Sequence, residues 1–131
     1  MSAETDARSV PLTANEQAQA VYKAIFTFKE DTGLTYEDLS EILGKDGSTW
    51  KRWNRDKAIP LKDKHLREAV SHFIAIFRSL GAMFGNKNDR TLWLKTEHPD
   101  FEKSPLALMM QDFRGLIQVR TYLDYVRGRG A

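Results

Sequence analysis

Histidine is the residue type in this chain best suited to metal binding or proton transfer, and the chain has three. His65 and His72 are seven residues apart, a spacing that places both on one face of a helix. No carboxylate or third histidine follows at a spacing typical of zinc sites, and there is no cysteine to act as a ligand or nucleophile. A glycine-rich phosphate loop and a nucleophile elbow are also absent. The sequence therefore predicts no metal, no cofactor and no enzymatic activity.

Cationic side chains are concentrated in the stretch GKDGSTWKRWNRDK, residues 44–57. At about 100° per residue, Trp50 and Trp53 fall on one face of a helix, while Lys51 and Arg52 fall on the other. Such a helix turns its indoles inward and its cations outward, where they can bind DNA. An ordinary solvated face is the alternative. The candidate DNA-binding residues are Ser48, Thr49, Lys51 and Arg52, expected nearest the bases, and Lys45, Arg55 and Lys57, expected nearest the phosphates.

Charge is unevenly distributed along a chain whose net charge is only +2. Residues 45–67 hold eight lysines and arginines against three aspartates, and residues 114–131 hold four arginines against one aspartate. The first 32 residues are acidic on balance. Two separate basic regions in a nearly neutral chain favour two separate acidic partners.

Length and composition fit one compact domain, or two small domains closely joined, in 131 residues. There is no run of about 18 apolar residues, so no membrane span is expected, and the polar first residues do not resemble a secretory signal. The absence of cysteine is compatible with a reducing compartment, and we expect a cytoplasmic protein. Residues 1–12 are expected to form a flexible tail.

Nearly every segment has the apolar spacing of a helix, and none alternates over a useful length as a strand would. Thr13 and Glu16 predict a capping box before a first helix, which Gly33 ends. The fold is therefore predicted to be all-α. Further helices are expected to begin at Thr35, at Ser48, at about Lys62 (running to about Phe84), at Asn88 or Asp89, at Ser104-Pro105, and after a cap at Gly115.

The string LTYEDLSEILGKDGSTWKRWNRDK, residues 34–57, resembles the helix-turn-helix of the Xre and phage-repressor family. The matching features are the leading Leu-Thr, Leu43-Gly44, Ser48-Thr49 and Arg52-Trp53. Tyr36 stands where the family usually has a glutamine that contacts the DNA backbone, and Lys45 and Trp50 replace smaller apolar residues. The resemblance implies that the second helix enters the major groove of operator DNA.

The second half, from about Ala69, is similar to the C-terminal toxin-binding domain of the MbcA/ParS/Xre antitoxin family. The matching features are Phe84-Gly85, Trp93-Leu94, Asp100-Phe101, Ser104-Pro105-Leu106, Gly115 and Gly128. The resemblance implies a partner toxin that acts on NAD, of the RES type or with an ADP-ribosyltransferase-like fold, whose active-site cleft the C-terminal region covers. At that basic end the candidate toxin-binding residues are Arg120, Tyr125, Arg127 and Arg129, with a solvated tail as the alternative.

From the sequence the expected domains are a helix-turn-helix domain over residues 13–62 and a toxin-binding domain over residues 63–131. An antitoxin would use them to block its toxin and to repress its own operon. A stand-alone transcriptional regulator without a toxin, and a protein-interaction module with a purely structural helix-turn-helix, are the alternatives. A homodimer or larger assembly is expected, because two operator half-sites call for two-fold symmetry. The apolar stripe of the long helix forms either the self-association surface or the chain's own core.

Overall fold

A computed structural model describes the backbone of residues 11–130 and the side chains of residues 11–128. Of the predicted tail, only Pro11 and Leu12 fall in this range. All regular structure in the described range is helical, apart from an isolated bridge between His98 and Lys103, so the prediction of an all-α fold is confirmed. None of these helices has the length and apolarity needed to cross a bilayer. The helices are α1 Ala14–Thr32, α2 Tyr36–Leu43, α3 Gly47–Asp56, α4 Lys64–Met83, α5 Lys87–Lys95, α6 Pro105–Gln111 and α7 Phe113–Gly130.

Capping side chains fix the ends of the first two helices where the sequence predicts them. The hydroxyl of Thr13 accepts from the amide of Glu16 at 3.1 Å, and the Glu16 carboxylate accepts from the amide of Thr13 at 2.9 Å. Thr35 and Asp38 form the same reciprocal pair at α2. Gly33 follows α1 with φ 70°, a left-handed conformation that glycine adopts without strain.

Helix α3 begins earlier than predicted, because Asp46 and not Ser48 is its N-cap. The Asp46 carboxylate accepts from the amide of Thr49 at 2.9 Å, and the Ser48 hydroxyl donates to it at 3.0 Å. Lys45 has φ 64°, so the chain turns just before Asp46 and brings that carboxylate over the first turn. Ser48, the predicted start of the helix, thus donates a hydrogen bond to Asp46, the actual N-cap.

The starts of α5 and α7 also differ from the prediction. Asn86, not Asn88 or Asp89, caps α5 by accepting from the amide of Asp89 at 2.9 Å. Asp112 accepts from the amide of Gly115 at 2.8 Å, so Gly115 lies in the first turn of α7 and not at a cap. In both cases an Asx side chain upstream of the predicted position offers the earlier cap.

One hydrophobic core runs through the described helices, with the long helix α4 at its centre. Phe28 of α1 stacks on Phe73 and Phe77 of α4, with ring centroids 4.4 and 4.7 Å apart. Phe73, Ile76 and Leu80 are fully buried, so the apolar stripe of α4 forms part of the chain's own core. Helix α2 contacts α4, α6 and α7, so the first three helices and the last three share this core.

Candidate functional sites

The two indoles of α3 face the core, as predicted. Trp50 is 0 % exposed and Trp53 is 8 % exposed, and their rings meet edge to face with centroids 5.0 Å apart. The Nε1 of Trp50 donates to the carbonyl oxygen of Gly44 at 2.9 Å, which satisfies the indole N–H inside the core. Because this bond spans the turn between α2 and α3, Trp50 fixes the angle between the two helices.

Burial of the indoles turns the opposite face of α3 to solvent. Lys51, Arg52 and Arg55 are exposed, and Arg55 pairs with the neighbouring carboxylate of Asp56 at 3.3 Å. Within the described side chains, neither Lys51 nor Arg52 has a carboxylate oxygen within 4.0 Å. Exposed cations without a close counter-ion keep their attraction for phosphate. This surface of α3, Lys51, Arg52 and Arg55, is called the cationic face below.

Two other candidate DNA-binding residues have partners within the chain. The ammonium of Lys45 pairs with Asp63 at 2.9 Å, and the hydroxyl of Ser48 donates to the cap residue Asp46. Hydrogen bonds from the side chain and backbone of Thr49 lower the pKa of Asp46, so this carboxylate stays ionised beside the cationic face. The remaining candidates are Thr49, which is half-buried, and Lys57, which is exposed.

One side-chain amide joins three helices beside the cationic face. The Nδ2 of Asn54 in α3 donates to the hydroxyl oxygen of Tyr36 in α2 at 2.8 Å, and the hydroxyl of Tyr22 in α1 donates to the Oδ1 of Asn54 at 3.2 Å. All three groups are partly buried. Sequence reasoning missed this bridge, because Tyr22 and Asn54 are 32 residues apart and no local pattern links them. The hydrogen bonds of Asn54, together with the packing of the two indoles, therefore orient α3 against α1 and α2.

The arginines proposed for toxin binding are partly engaged by α4. The Nη1 of Arg120 lies 3.1 Å from the Nδ1 of His72, and the Nη1 of Arg127 donates to the hydroxyl of Ser79 at 3.1 Å. Arg120 and Arg127 are seven residues apart and so lie on the same face of α7. The structure thus assigns both side chains a contact within the chain. The side chain of Arg129 lies outside the described residues.

Tyr125 lies on a different face of α7, where it is 60 % exposed and lines an open groove of about 750 Å³. Ile117 and Tyr122 of the same helix and Phe101 of the loop between α5 and α6 give this groove apolar walls. Sequence reasoning identified Tyr125 but not the groove, because Phe101 reaches it from another part of the chain. The charged residues of the lining are Asp100 and Arg114.

An aromatic cluster links this groove to a second one of about 410 Å³. The ring of Tyr122 lies 4.9 Å from His98 and 5.1 Å from Phe101, and it stacks on Trp93 at 6.5 Å. Leu92 is 65 % exposed and lines the second groove with Trp93 and His98. Partial burial raises the pKa of Tyr122, so its hydroxyl stays protonated at neutral pH. The two grooves thus have mainly apolar linings and are joined by the contact between Tyr122 and His98.

His65 and His72 make packing contacts between α4 and α7. Both rings contact Phe113, with centroids 5.1 and 5.7 Å apart. Among the residues that the structure describes, no three His, Cys, Asp or Glu side chains are grouped so that they could hold a metal ion. The shared helix face that the sequence predicts for these histidines therefore serves helix packing.

Known protein families match both parts of the chain. Residues 3–74, more than half of the chain, match the antitoxin Xre-like helix-turn-helix domain, and residues 79–129 match the antitoxin Xre/MbcA/ParS C-terminal toxin-binding domain. A search among curated proteins finds no match. The first match contains the cationic face of α3, and the second contains the two grooves. The chain therefore belongs to the Xre/MbcA/ParS family of antitoxins, with a DNA-binding helix-turn-helix followed by a toxin-binding domain.

Proposed function

We propose that this antitoxin of a type II toxin–antitoxin system neutralises an NAD-consuming toxin, of the RES type or with an ADP-ribosyltransferase-like fold, by covering its active site. The observation that carries the proposal is the pair of linked apolar grooves in the toxin-binding region. Open grooves with mainly apolar linings and an exposed aromatic ring at one edge are suitable contacts for another protein. The protein then acts by binding and not by catalysis, in the cytoplasm, where its operator lies.

Tyr125 is the proposed anchor of the toxin interface. Its ring is exposed above an apolar groove, and aromatic side chains with a polar tip contribute strongly to protein interfaces. Arg120, Arg127 and Arg129 lie on the same helix as the anchor and are proposed to add positive charge to the interface beside the face that carries Tyr125. Positive charge there would suit a cleft that binds the pyrophosphate of NAD, because guanidinium groups pair well with phosphate oxygens.

The cationic face of α3 is the proposed operator contact. Its side chains are exposed and project away from the core that holds the indoles. A homodimer or larger assembly would place two copies of α3 on successive half-sites. The residues proposed to reach the bases are Ser48, Thr49, Lys51 and Arg52, and those proposed to contact phosphates are Lys45, Arg55 and Lys57.

The toxin contact is tested by measuring NAD consumption by the cognate toxin as purified antitoxin is added. Tyr125→Ser removes the anchor and is expected to raise the half-inhibitory concentration at least roughly tenfold, as loss of an interface hot spot does. Leu12→Ser is the matched control, because it removes another exposed apolar side chain far from α7 in the sequence. Full inhibition by Tyr125→Ser, or no inhibition by the wild-type protein, would contradict the proposal.

A further inference from the structure

We propose that Lys29, near the C-terminal end of α1, binds a backbone phosphate of the operator in a site that it forms with Tyr36 and Lys51. The inference rests on the proposed operator contact of α3 and extends that contact to a helix outside the helix-turn-helix. The ligand is a phosphodiester of duplex DNA. The resemblance already gives the family position of Tyr36 a contact with the DNA backbone, whereas no residue of α1 was assigned to DNA from the sequence.

Lys29 is held in a position that leaves its charge poorly neutralised. Its side chain is only 12 % exposed, and its ammonium nitrogen lies 4.4 Å from the centroid of the Tyr36 ring. Its carboxylate neighbour is Glu30, with 3.7 Å between Nζ and Oε2, and the side chain of Glu30 is 75 % exposed. An ion pair of this length with a solvated partner is weak. Most of the Lys29 side chain is therefore buried, and its charge is balanced only by a long ion pair and the face of the Tyr36 ring, which leaves it able to attract a stronger anion.

Tyr36 is positioned to share this anion. The Nδ2 of Asn54 donates to its hydroxyl oxygen at 2.8 Å, so the Tyr36 hydroxyl keeps its own hydrogen for another acceptor. Its Cβ lies 3.9 Å from where a Cβ on Gly47 would stand, so Tyr36 packs along the edge of α3. The ammonium of Lys51, on the cationic face, lies 5.8 Å from the centroid of the same ring. Tyr36 thus brings one cation from α1 and one from α3 around a single ring.

Two cations and a hydroxyl group around one ring suit the DNA backbone. The two ammonium groups lie 4.4 and 5.8 Å from one ring centroid, and phosphates follow one another about every 3.4 Å of helix axis on a strand, so we expect the two cations to contact neighbouring phosphates of one strand. The structural alternative is that Lys29 only stabilises the C-terminal end of α1, through the helix dipole and the tyrosine ring. That alternative predicts a loss of stability with no change in the salt dependence of DNA binding.

The salt dependence of operator binding by the full chain separates these two roles. Lys29→Gln is expected to weaken binding to operator and to unrelated DNA by the same factor, and to reduce the slope of log K against log salt by about 0.9. Tyr36→Leu removes the ring that holds Lys29 and is expected to reproduce part of that loss. Lys23→Gln is the matched control, since it neutralises an exposed lysine elsewhere on α1 and should leave the slope unchanged.

The outcomes distinguish this inference from the proposed function on which it rests. A Lys29→Gln protein with a lowered Tm and an unchanged salt slope would assign Lys29 a purely structural role and overturn the inference. If Lys51→Gln lowers the slope and Lys29→Gln does not, the operator contact of α3 stands and its extension to α1 falls. If the wild-type protein shows no salt-dependent binding to its operator, both fall together.

Discussion

His72 has contacts that fix its protonation state. The guanidinium of Arg120 can only donate, so the Nδ1 of His72, 3.1 Å away, must accept, and a ring that accepts hydrogen bonds is neutral. Partial burial, and next the charge of Arg120, lower the pKa of His72, although Glu68 and Asp124 oppose the shift. The contact between α4 and α7 at this point therefore requires an uncharged histidine.

A lowered histidine pKa makes the fold less stable in acid. The unfolded chain binds the proton near pH 6.5 and the folded chain only at lower pH, so the free energy of unfolding falls as pH drops below about 6.5 and is unaffected above it. We expect the Tm of the wild-type protein to fall between about pH 7.5 and 5.5. His72→Gln, whose Oε1 can still accept from Arg120, should lose part of that dependence.

Thermal unfolding of the wild-type protein and of His72→Gln across this pH range checks the prediction. His65→Gln, on the same face of α4, is the control substitution. Hydrogen bonds lower the pKa of Asp46 and of Asp63 below the ordinary aspartate value, so both carboxylates stay ionised and do not contribute in this range. A pH dependence of Tm that is the same for His72→Gln and the wild-type protein would show that His72 is not the group responsible.

At the level of the helices, α6 and α7 approach so closely that glycine is required at one position. A Cβ on Gly115 would lie 1.9 Å from the carbonyl oxygen of Leu108 and 2.9 Å from its carbonyl carbon. These are backbone atoms, which cannot rotate away as a side chain could, so a larger residue must push the helices apart. Because α7 also carries Tyr125 and the larger groove, this helix contact supports the proposed toxin-binding surface.

Gly115→Ala is therefore expected to lower the free energy of unfolding by about 1–3 kcal/mol or more and to weaken toxin inhibition. Gly128→Ala in the same helix is the matched control, because its Cβ meets nothing within 4 Å. Alanine has a higher helix propensity than glycine, so Gly128→Ala is expected to leave the free energy of unfolding unchanged or to raise it by up to about 1 kcal/mol. Urea unfolding measures both values, and equal stability of the two variants would rule out the close contact as the reason for glycine.

Local sequence signals identify the helices, whereas the grouping of distant side chains depends on the tertiary fold. Thr13 caps α1 as predicted, because the capping box lies within four residues of the chain. The choice between Asp46 and Ser48 depends on the turn that precedes α3, so the prediction missed it by two residues. Arg120 and Arg127 find partners 48 residues away on α4, which no spacing rule encodes. The helical period alone predicts that the two indoles face inward. The two grooves cannot be predicted in this way, because each is lined by a helix together with residues outside that helix.

In the molecule as a whole, one core joins the two surfaces that are proposed to bind different partners. Helix α2 of the helix-turn-helix contacts α6 and α7, and α4 contacts both α1 and α7. The cationic face of α3 and the grooves of the toxin-binding region therefore belong to one folded unit within the described range. A substitution in that core is expected to reduce both activities, whereas a substitution on one surface should reduce only one.

The double substitution Lys51→Ala/Arg52→Ala tests whether the two surfaces act independently. Both side chains are exposed, so the fold should persist, while operator affinity is expected to fall on the order of 100-fold, because each contact with a base edge contributes about 1–3 kcal/mol. Gel shifts on the native upstream DNA at several salt concentrations measure that loss, and the NAD assay with the cognate toxin should show unchanged inhibition.

Tyr125→Ser is the reciprocal variant, expected to lose toxin inhibition and to keep operator affinity. A stand-alone regulator would bind DNA and leave every such toxin active, whereas an interaction module with a structural helix-turn-helix would inhibit the toxin without binding DNA. If either variant lost both activities while its Tm stayed at the wild-type value, the two surfaces would be coupled. Operator binding and toxin inhibition would then require the same assembled complex, and not two independent faces of one core.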